Sequence, residues 1–470
     1  MRIVAFSINP LYPDQVMGGA PKHLQQIVAH LGSLGHQVTV LCSGDPAVDV
    51  PFQWGENVQV LPVLRFKLPF PQPYATPAYH LAAAIHEVAS HLAQADRFYM
   101  HDGEFLFPYV YQSVPTVISL RDSVYPETQL GAFLFQGDVL ITISEHSRQY
   151  YLHTAGRFLP DLAERMVVIP NGLDWNTFRP TPPAEILQIV PVDPQRDVVV
   201  LHPHRPEPSK GLPQTIQVAD LLVKRYGLRN LKVLTPRWLE AGLSPEVREF
   251  VEAMRREIYC RGLTEYFVFH DWVPQRLMPQ YYSLAAVTLA LGSFVEAFGN
   301  AVYESLGCGT PAVVARVGAH RELLPDHLVD KVHFGDVETA AALAADIIAA
   351  GRRTSPETMA YLHQHYSRDR QVAAYAATIL NARRRGPIAY RFPALNGATR
   401  FGLAPWCYEW SGGYYHDFRA EHCRIEPLRN LFRRYGSAWT AEQAEAAGVS
   451  PEMLADWLRE GYVVPLLSET

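Results

Sequence analysis

Two glutamates with fixed spacing around a helix start are the residues in this chain best placed to do chemistry. Glu296 and Glu304 lie in the stretch SFVEAFGNAVYESLGCGTPAVVARVG, residues 293–318. The first precedes a Phe-Gly-Asn turn, and the second falls about one turn inside the apolar helix that the turn opens. The helix ends at a Gly-Cys-Gly sequence and leads into the apolar run AVVA. The predicted order is therefore loop, helix and strand.

This order predicts a ligand with phosphate at its centre and hydroxyls at both ends. The start of a helix offers unpaired N–H groups and a partial positive charge, both of which suit a phosphate. The two carboxylates would repel phosphate, so we expect them to accept hydrogen bonds from hydroxyls. A nucleotide sugar has this combination of groups.

Length and composition limit the classes of protein that this chain can be. A chain of 470 residues with 48% hydrophobic residues and a mean hydropathy of −0.06 predicts a globular protein of two or three domains. A net charge of −6 argues against a nucleic-acid partner. Five scattered cysteines with no CxxC pair favour a reduced, cytoplasmic location. We interpret the start, MRIVAFSINP, as a strand rather than a signal peptide.

Apolar runs and helical periods alternate along most of the chain. The pattern predicts one doubly wound parallel α/β domain over residues 1–175 and a second over 176–385, facing each other across a cleft. The final helices of the second domain are expected to be able to cross back to the first. Residues 62–80, rich in proline and aromatics, are predicted to be an irregular loop that either packs on the surface, lines an acceptor pocket or makes peripheral membrane contact.

Residues 386–470 lack the alternation of apolar runs and helical periods, and their sequence predicts a small, mainly helical appended module. Thr440 followed by Gln443 is typical of a capping box, and a Gly-Val-Ser turn between two helices resembles a winged-helix arrangement. The last 50 residues carry five arginines against eight acids, which argues against DNA binding. We therefore expect this module to mediate protein contact or oligomerisation, or to act as a structural clasp.

Three segments together resemble a known family. HPHRPEPSKGL, the segment running from FHDWVPQ to AHRELL, and the early Gly18-Gly19 loop are similar to the retaining glycosyltransferases of family 4. The resemblance covers roughly residues 1–385, and its most specific part is the acid–seven–acid motif. It implies the GT-B fold, with two Rossmann-like domains and a nucleotide sugar such as a UDP-sugar as donor.

The resemblance also implies roles for residues of the donor site. Arg205 and Lys210 match the pair that clamps the donor diphosphate and stabilises the leaving group. Glu296 matches the acid that holds the hydroxyls of the donor sugar, and Glu304 matches the one that accepts from the ribose. The backbone N–H groups of the turn and the segment after a later strand complete the implied donor site, with these residues: Phe298, Gly299, Asn300 and Val273.

The acceptor side departs from the family pattern. Family members carry a histidine after the strand that corresponds to TVISL, and here that position is Arg121. Arginine stays protonated at neutral pH, so it cannot serve as a general base, but it can bind an anionic acceptor or a phosphate. His101, at the end of the preceding strand, is the candidate to compensate for the missing family histidine. Gly18 and Gly19 precede a helix where bare backbone could approach a ligand.

The expected reaction needs neither an enzymic base nor a metal. The departing phosphate can take the acceptor proton on the same face of the sugar, so positioning and leaving-group stabilisation supply the catalysis. No Asp-x-Asp metal motif is present, and the Arg-Lys pair makes a metal or other cofactor unnecessary. A zinc site formed by Cys407, His416, His422 and Cys423 is disfavoured by their spacing.

Two alternatives to an active hexose-type transferase stay open. Arg121 and the appended module are also compatible with a catalytically silent GT-B subunit that supports a partner transferase. A sugar-nucleotide epimerase shares the architecture but usually relies on a different carboxylate set. The sequence names neither the sugar, nor the base, nor the acceptor.

Overall fold

The chain folds into two compact units. The computed structural model describes residues 1–13, 18–44, 49–65, 76–103, 107–237 and 245–466. Unit 1 combines Met1–Pro170 with Arg370–Thr470, and unit 2 is Asn171–Asp369.

Unit 1 is built on an eight-stranded sheet. Its strands are β1 Arg2–Pro10, β2 Gln37–Ser43, β3 Phe52–Gln53, β4 Val58–Leu64, β5 Arg97–His101, β6 Thr116–Leu120, β7 Val139–Thr142 and β8 Met166–Val168. Their order is β3-β4-β2-β1-β5-β6-β7-β8, and every neighbouring pair is parallel except β3 with β4. The helices are α1 Gly19–Ser33, α2 Ala78–Leu92, α3 Pro126–Phe133, α4 Glu145–His153 and α5 Leu162–Arg165. From β1 the chain adds strands first toward one edge of the sheet and then, from β5, toward the other edge. Doubly wound sheets bind ligands at this point between β1 and β5.

Unit 2 is built on a six-stranded, wholly parallel sheet. Its strands are β9 Val198–Leu201, β10 Leu231–Pro236, β11 Phe267–His270, β12 Val287–Ala290, β13 Ala312–Ala315 and β14 Asp330–Val332. Their order is β11-β10-β9-β12-β13-β14. The helices are α6 Leu212–Lys224, α7 Pro245–Cys260, α8 Met278–Ser283, α9 Asn300–Gly307, α10 Val337–Ala349 and α11 Pro356–His365. Two Rossmann-like domains, the predicted fold class, are thereby confirmed.

Helix α12, Arg368–Asn381, returns the chain to unit 1. Tyr375 and Ile379 are buried in the core cluster that also holds the side chains of β1 and β2. Arg97 on β5 donates to the carbonyl oxygens of Ile379 and Leu380, at 3.1 and 2.8 Å. The apolar face of α12 therefore completes the cover of the first sheet.

The C-terminal module contains helices and two small antiparallel sheets. Its elements are β15 Arg400–Leu403, β16 Cys407–Trp410, β17 Gly413–His416, β18 Glu421–Cys423, α13 Glu426–Tyr435, β19 Ala438–Thr440, α14 Ala441–Ala446, α15 Pro451–Arg459 and β20 Val463–Pro465. The capping box is confirmed, because Thr440 and Gln443 exchange side-chain-to-backbone hydrogen bonds. The six strands were not predicted. Each has only three or four residues, too few to show an alternating pattern.

The module packs on helix α4 of the same unit. The Tyr150 ring lies 5.4 Å from the Trp406 ring and 4.9 Å from the Phe418 ring, between centroids. Beside them, His146 Nε2 is 3.9 Å from Asp417 Oδ2, and both side chains are buried. The contact thus joins aromatic packing to a buried polar pair.

The loop predicted over residues 62–80 is wrong at both ends. Strand β4 continues to Leu64, and α2 already begins at Ala78. Pro62 is tolerated within β4 because neither neighbouring strand pairs with it. Strand β3 pairs only with Val60 and Gln59, and the pairing with β2 passes from Leu61 to Leu64. Residues 66–75, the middle of the predicted loop, lie outside the described residues.

Candidate functional site

The predicted donor residues of unit 2 follow the carboxyl ends of its parallel strands. The Lys210 loop comes after β9, Val273 after β11 and Glu296 after β12. His320, which was not among the predicted residues, comes after β13. Because these strands are parallel and adjacent, their carboxyl ends share one edge of the sheet. That edge is where open α/β sheets bind ligands.

Two glycines press the Lys210 loop against the segment after β12. Gly211 has φ +88°, and a Cβ there would lie 2.5 Å from the Gly292 nitrogen. A Cβ on Gly292 would lie 2.3 Å from the Ser209 carbonyl oxygen. Phe294 N–H also donates to that oxygen at 2.9 Å. This backbone-to-backbone contact holds Lys210 beside the first acid.

Lys210 and Glu296 form an ion pair with Nζ to Oε1 at 2.8 Å. The ammonium also lies 3.3 Å from the centroid of the Phe294 ring, within cation–π range. Burial opposes ionisation of Glu296, but the charge of Lys210 above all outweighs it and lowers the pKa of the carboxyl. The pair therefore holds a fixed positive and a fixed negative group at one point of the sheet edge.

Gly299 carries the backbone turn between Glu296 and α9. Its φ of +82° is in the left-handed region, and a Cβ would lie 2.3 Å from His320 Cε1. His320 sits in the short helical turn Gly318–Arg321, whose Gly318 likewise lies against the Glu296 backbone. Ala319 N–H donates to the Glu296 carbonyl oxygen at 2.8 Å. Only glycine fits the turn with the imidazole in this place.

The other turn residues have their side chains engaged within unit 2. Phe298 is buried against the rings of Tyr303 and Tyr366, with centroids at 4.6 and 5.2 Å. Asn300 Oδ1 accepts from Asn171 Nδ2 at 3.0 Å. The N-cap position, Gly299, contributes no side chain to the first turn of α9. Any contact of Phe298 or Gly299 with a ligand would therefore come from backbone.

Glu304 is buried on α9 and accepts a hydrogen bond from Tyr282. The Tyr282 hydroxyl lies 3.0 Å from Oε2. Burial first, and then the Glu304 charge, raise the pKa of Tyr282 well above its ordinary value, so Tyr282 remains a donor. A buried carboxylate needs such donors.

Arg205 and the residues after β11 are more open. The Arg205 side chain is 45% exposed, with Nε 3.2 Å from Glu207 Oε1. Val273 is buried, whereas the preceding Trp272 is 57% exposed. The Trp272 side chain therefore lies largely in solvent.

The predicted acceptor residues lie in unit 1, at the carboxyl ends of β5 and β6. His101 is buried, with Nδ1 2.5 Å from the Tyr99 hydroxyl and Nε2 2.9 Å from the Ala20 carbonyl oxygen. Burial, and then the charge of Arg121, lower the pKa of His101 well below its ordinary value. The neutral imidazole therefore accepts from Tyr99 through Nδ1 and donates through Nε2.

Arg121 is buried and donates from Nη1 to the Tyr375 hydroxyl at 3.2 Å. That hydroxyl lies 3.1 Å from Ser119 Oγ, so α12 holds the arginine through a polar contact. Gly18, at φ +96°, is the N-cap of α1, and Gly19 is its first helical residue. A Cβ on Gly18 would meet no atom within 4 Å, so backbone conformation rather than space favours glycine there.

Asp102, next to His101, has unusual surroundings that sequence alone did not reveal. Its φ is +60°, and its Oδ1 is buried with no hydrogen-bond partner among the described residues. Burial, and then the charge of Asp122, raise the pKa of Asp102 to about 7. Left-handed aspartates with a perturbed pKa are over-represented at functional sites.

Within the described ranges, no group of three or more His, Cys, Asp or Glu side chains could hold a metal ion. The same ranges hold no helix long and apolar enough to cross a membrane.

Family comparisons cover both units. Residues 17–176 match the family described as Glycosyltransferase Family 4, and residues 187–353 match the one described as Glycosyl transferases group 1. The chain belongs to the family 4 glycosyltransferases. This confirms the resemblance carried by the Lys210 loop and the acid–seven–acid motif.

Several proteins of this type are similar to the chain. D-inositol 3-phosphate glycosyltransferase of Frankia alni is 28% identical over 163 residues, 35% of this chain and only 39% of that relative. Alpha-maltose-1-phosphate synthase of Mycobacterium tuberculosis is 26% identical over 360 residues, 72% of this chain and 86% of that one. The structure of Anabaena HepE with UDP and glucose has a TM-score of 0.63 at 19% identity, covering 81% and 99% of the two chains.

Two histidines of this glycosyltransferase-family chain, the half-buried His204 and the buried His320, were missed by sequence reasoning. Burial, followed by nearby Lys210, lowers the pKa of His204 to about 3, and burial lowers that of His320 to about 4. Both are therefore neutral neighbours of the Lys210–Glu296 pair. The only signal for them was position, since His204 directly precedes Arg205 and His320 lies in the segment after AVVA.

Proposed function

We propose that the chain is a retaining glycosyltransferase that moves a hexose-type sugar from a nucleotide-diphosphate sugar, such as a UDP-sugar, to an acceptor hydroxyl. The observation that carries the proposal is the Lys210–Glu296 pair beside the Gly299 turn, with Glu304 buried on the helix that follows. The UDP and glucose bound by Anabaena HepE support a donor of this kind.

The proposed roles follow from charge and placement. Lys210 and Arg205 bind the diphosphate and stabilise the negative charge that grows on it as the sugar–phosphate bond breaks. Glu296 accepts from hydroxyls of the donor sugar, and Glu304 accepts from the ribose. The backbone N–H groups after Phe298 bind sugar or phosphate at the start of α9.

The proposed reaction balances without an enzymic base. The acceptor oxygen bonds to the anomeric carbon as the bond from that carbon to the phosphate oxygen breaks. The released phosphate oxygen takes the acceptor proton on the same face, so configuration is retained. The two cations supply the positive charge, and we expect transfer to persist in a chelator.

On the acceptor side, Arg121 is proposed to bind an anionic group of the acceptor or the donor phosphate. His101 is proposed to support that site rather than to transfer a proton, because both ring nitrogens are hydrogen-bonded within unit 1. Gly18 and Gly19 would bring the start of α1 close to the ligand. The module over residues 386–470 stays a candidate for protein contact.

Two substitutions test the donor roles. Glu304→Ala is expected to weaken UDP binding, measured by titration calorimetry, because it removes the partner of the ribose. Lys210→Ala is expected to lower donor turnover by about 10²–10³-fold with a much smaller loss of binding, because the charge it stabilises grows in the transition state. Lys224→Ala removes an exposed lysine paired with Asp220 and serves as the matched control.

Equal effects of the two variants on binding and turnover would contradict the roles. Slow hydrolysis of UDP-, GDP- or ADP-sugars by the unaltered chain separates the enzyme from the silent-subunit alternative. A chain that neither binds nor hydrolyses any of these donors is not the proposed transferase. A thermal-shift screen of nucleoside diphosphates would identify the base.

A further inference from the structure

An exposed apolar patch lies on unit 1 and contains none of the residues assigned to the reaction. The Phe158 ring contacts the rings of Phe133 and Tyr390, with centroids at 6.3 and 6.1 Å, and the second pair is stacked. Tyr390 is 68% exposed, and Phe392, two residues on, is 74% exposed. We define the patch as these three contacting rings together with the exposed apolar residues close to them in sequence: Leu134, Phe392 and Leu395.

The patch is displayed by a connecting segment, residues 382–396, that contains no helix or strand. Ile388 is buried in the core of unit 1 and exchanges two hydrogen bonds with the Gln136 side chain, at 2.9 and 3.3 Å. Arg391 N–H donates to the Phe158 carbonyl oxygen at 2.8 Å. The segment is therefore pinned to the domain, and its large apolar side chains still point outward.

Basic side chains accompany the patch. Residues 381–408 contain five arginines and no lysine, aspartate or glutamate, in a chain whose net charge is −6. Arg383, Arg384 and Arg391 are exposed. Arg385 is partly balanced by Glu164, at 3.3 Å between Nη2 and Oε2. The charge of the segment itself is thus opposite in sign to that of the whole protein, and Asp138 and Glu164 of neighbouring elements contact it at Arg385.

We propose that this patch is a peripheral binding surface for an anionic lipid bilayer. Aromatic rings prefer the headgroup level of a bilayer, where an apolar body and a polar edge are both accommodated. Arginines at that level are attracted by anionic headgroups, each by an amount that falls off within a Debye length. A protein partner would not require an acid-free basic segment next to the rings. The proposal does not depend on the transferase function.

The full-length chain can be tested by co-sedimentation with vesicles of phosphatidylcholine alone and with about 30% phosphatidylglycerol. We expect binding to the anionic vesicles only, weakened by raising the salt concentration. Tyr390→Ser with Phe392→Ser should lower the partition coefficient at least about tenfold, and so should Arg383→Glu with Arg384→Glu. Tyr259→Ser, at a tyrosine 76% exposed on α7, is the matched control and should bind like the unaltered chain.

Several results would overturn the proposal. These are no binding to either vesicle, equal binding to both, or binding that the Tyr390 and Phe392 changes leave intact. Sedimentation velocity tests the alternative that the patch binds a second copy of the chain. If the same changes dissociate an oligomer in the absence of lipid and leave vesicle binding unchanged, the patch is a protein interface. Circular dichroism establishes that each variant is folded, as expected for exposed sites.

Discussion

Gly299 is a position at which one added methyl group would disturb the proposed donor site. Alanine at φ +82° costs about 1–2 kcal/mol, because its Cβ approaches the following carbonyl oxygen. The same Cβ would lie 2.3 Å and 2.5 Å from two ring atoms of buried His320. Displacing a packed ring costs about 1–3 kcal/mol more. We therefore expect Gly299→Ala to lower the free energy of unfolding by about 2–5 kcal/mol.

Urea denaturation followed by circular dichroism measures this loss, and another glycine separates its two parts. Gly262 has φ +71° with no atom within 4 Å of a built Cβ, so Gly262→Ala should show the backbone cost alone, about 1–2 kcal/mol. In a His320→Ala background, Gly299→Ala should also fall to that smaller cost. The double-mutant cycle should thus give a coupling of about 1–3 kcal/mol between the two positions.

The reasoning fails if Gly299→Ala costs no more than Gly262→Ala, or if the cost is the same with and without the His320 ring. UDP titration of the same variants adds a functional measurement. Because the turn carries the backbone N–H groups proposed to meet the donor, Gly299→Ala should weaken UDP binding where Gly262→Ala does not.

Three further predictions concern other buried contacts. Tyr282→Phe removes a donor from buried Glu304 and should cost about 1–3 kcal/mol in urea unfolding, whereas no loss would mean that the carboxylate does not need it. Asp102 has a folded-state pKa raised from 3.8 to about 7, so its stabilising effect is complete below about pH 4 and is lost as the pH rises to 7. Asp102→Asn, which cannot ionise, should therefore be more stable than the parent at pH 8, by roughly 2 kcal/mol or more, and similar to it at pH 4; the reverse order would refute the raised pKa. Tyr150→Ala removes the ring that packs on Trp406 and Phe418 and should lower the stability of the C-terminal module by about 3–5 kcal/mol. We expect faster hydrogen exchange in β16–β18 and no change in unit 2.

The histidines around Lys210 have a consistent physical role in the unliganded site. His320 is neutral because burial outweighs the attraction of Glu296, and His204 is neutral because desolvation and the charge of Lys210 both lower its pKa. They fill space beside the ion pair without adding charge to it. The net charge at the sheet edge is then set by Lys210, Arg205 and the acids.

The amino-acid sequence was enough to predict the two Rossmann-like domains, and it supplied the candidate donor residues. Both predictions depend on patterns that are local in the sequence. Strands and helices alternate regularly along the chain, and the two glutamates lie on one loop-helix segment. Arg205 and Lys210 likewise follow a single strand. When residues are this close in sequence, their own helix, strand or loop largely fixes their positions. Their spacing then predicts how they lie relative to one another.

Tertiary structure alone decided which side chains surround those residues. His320 reaches Gly299 across a strand and a turn, Tyr282 reaches Glu304 from another helix, and α12 brings Tyr375 to Arg121. The engagement of both His101 ring nitrogens and the exposure of Trp272 also became visible only in the fold. Except for the contact of His101 with Tyr99 on the same strand, these features depend on the packing of segments distant in sequence, which no local pattern encodes.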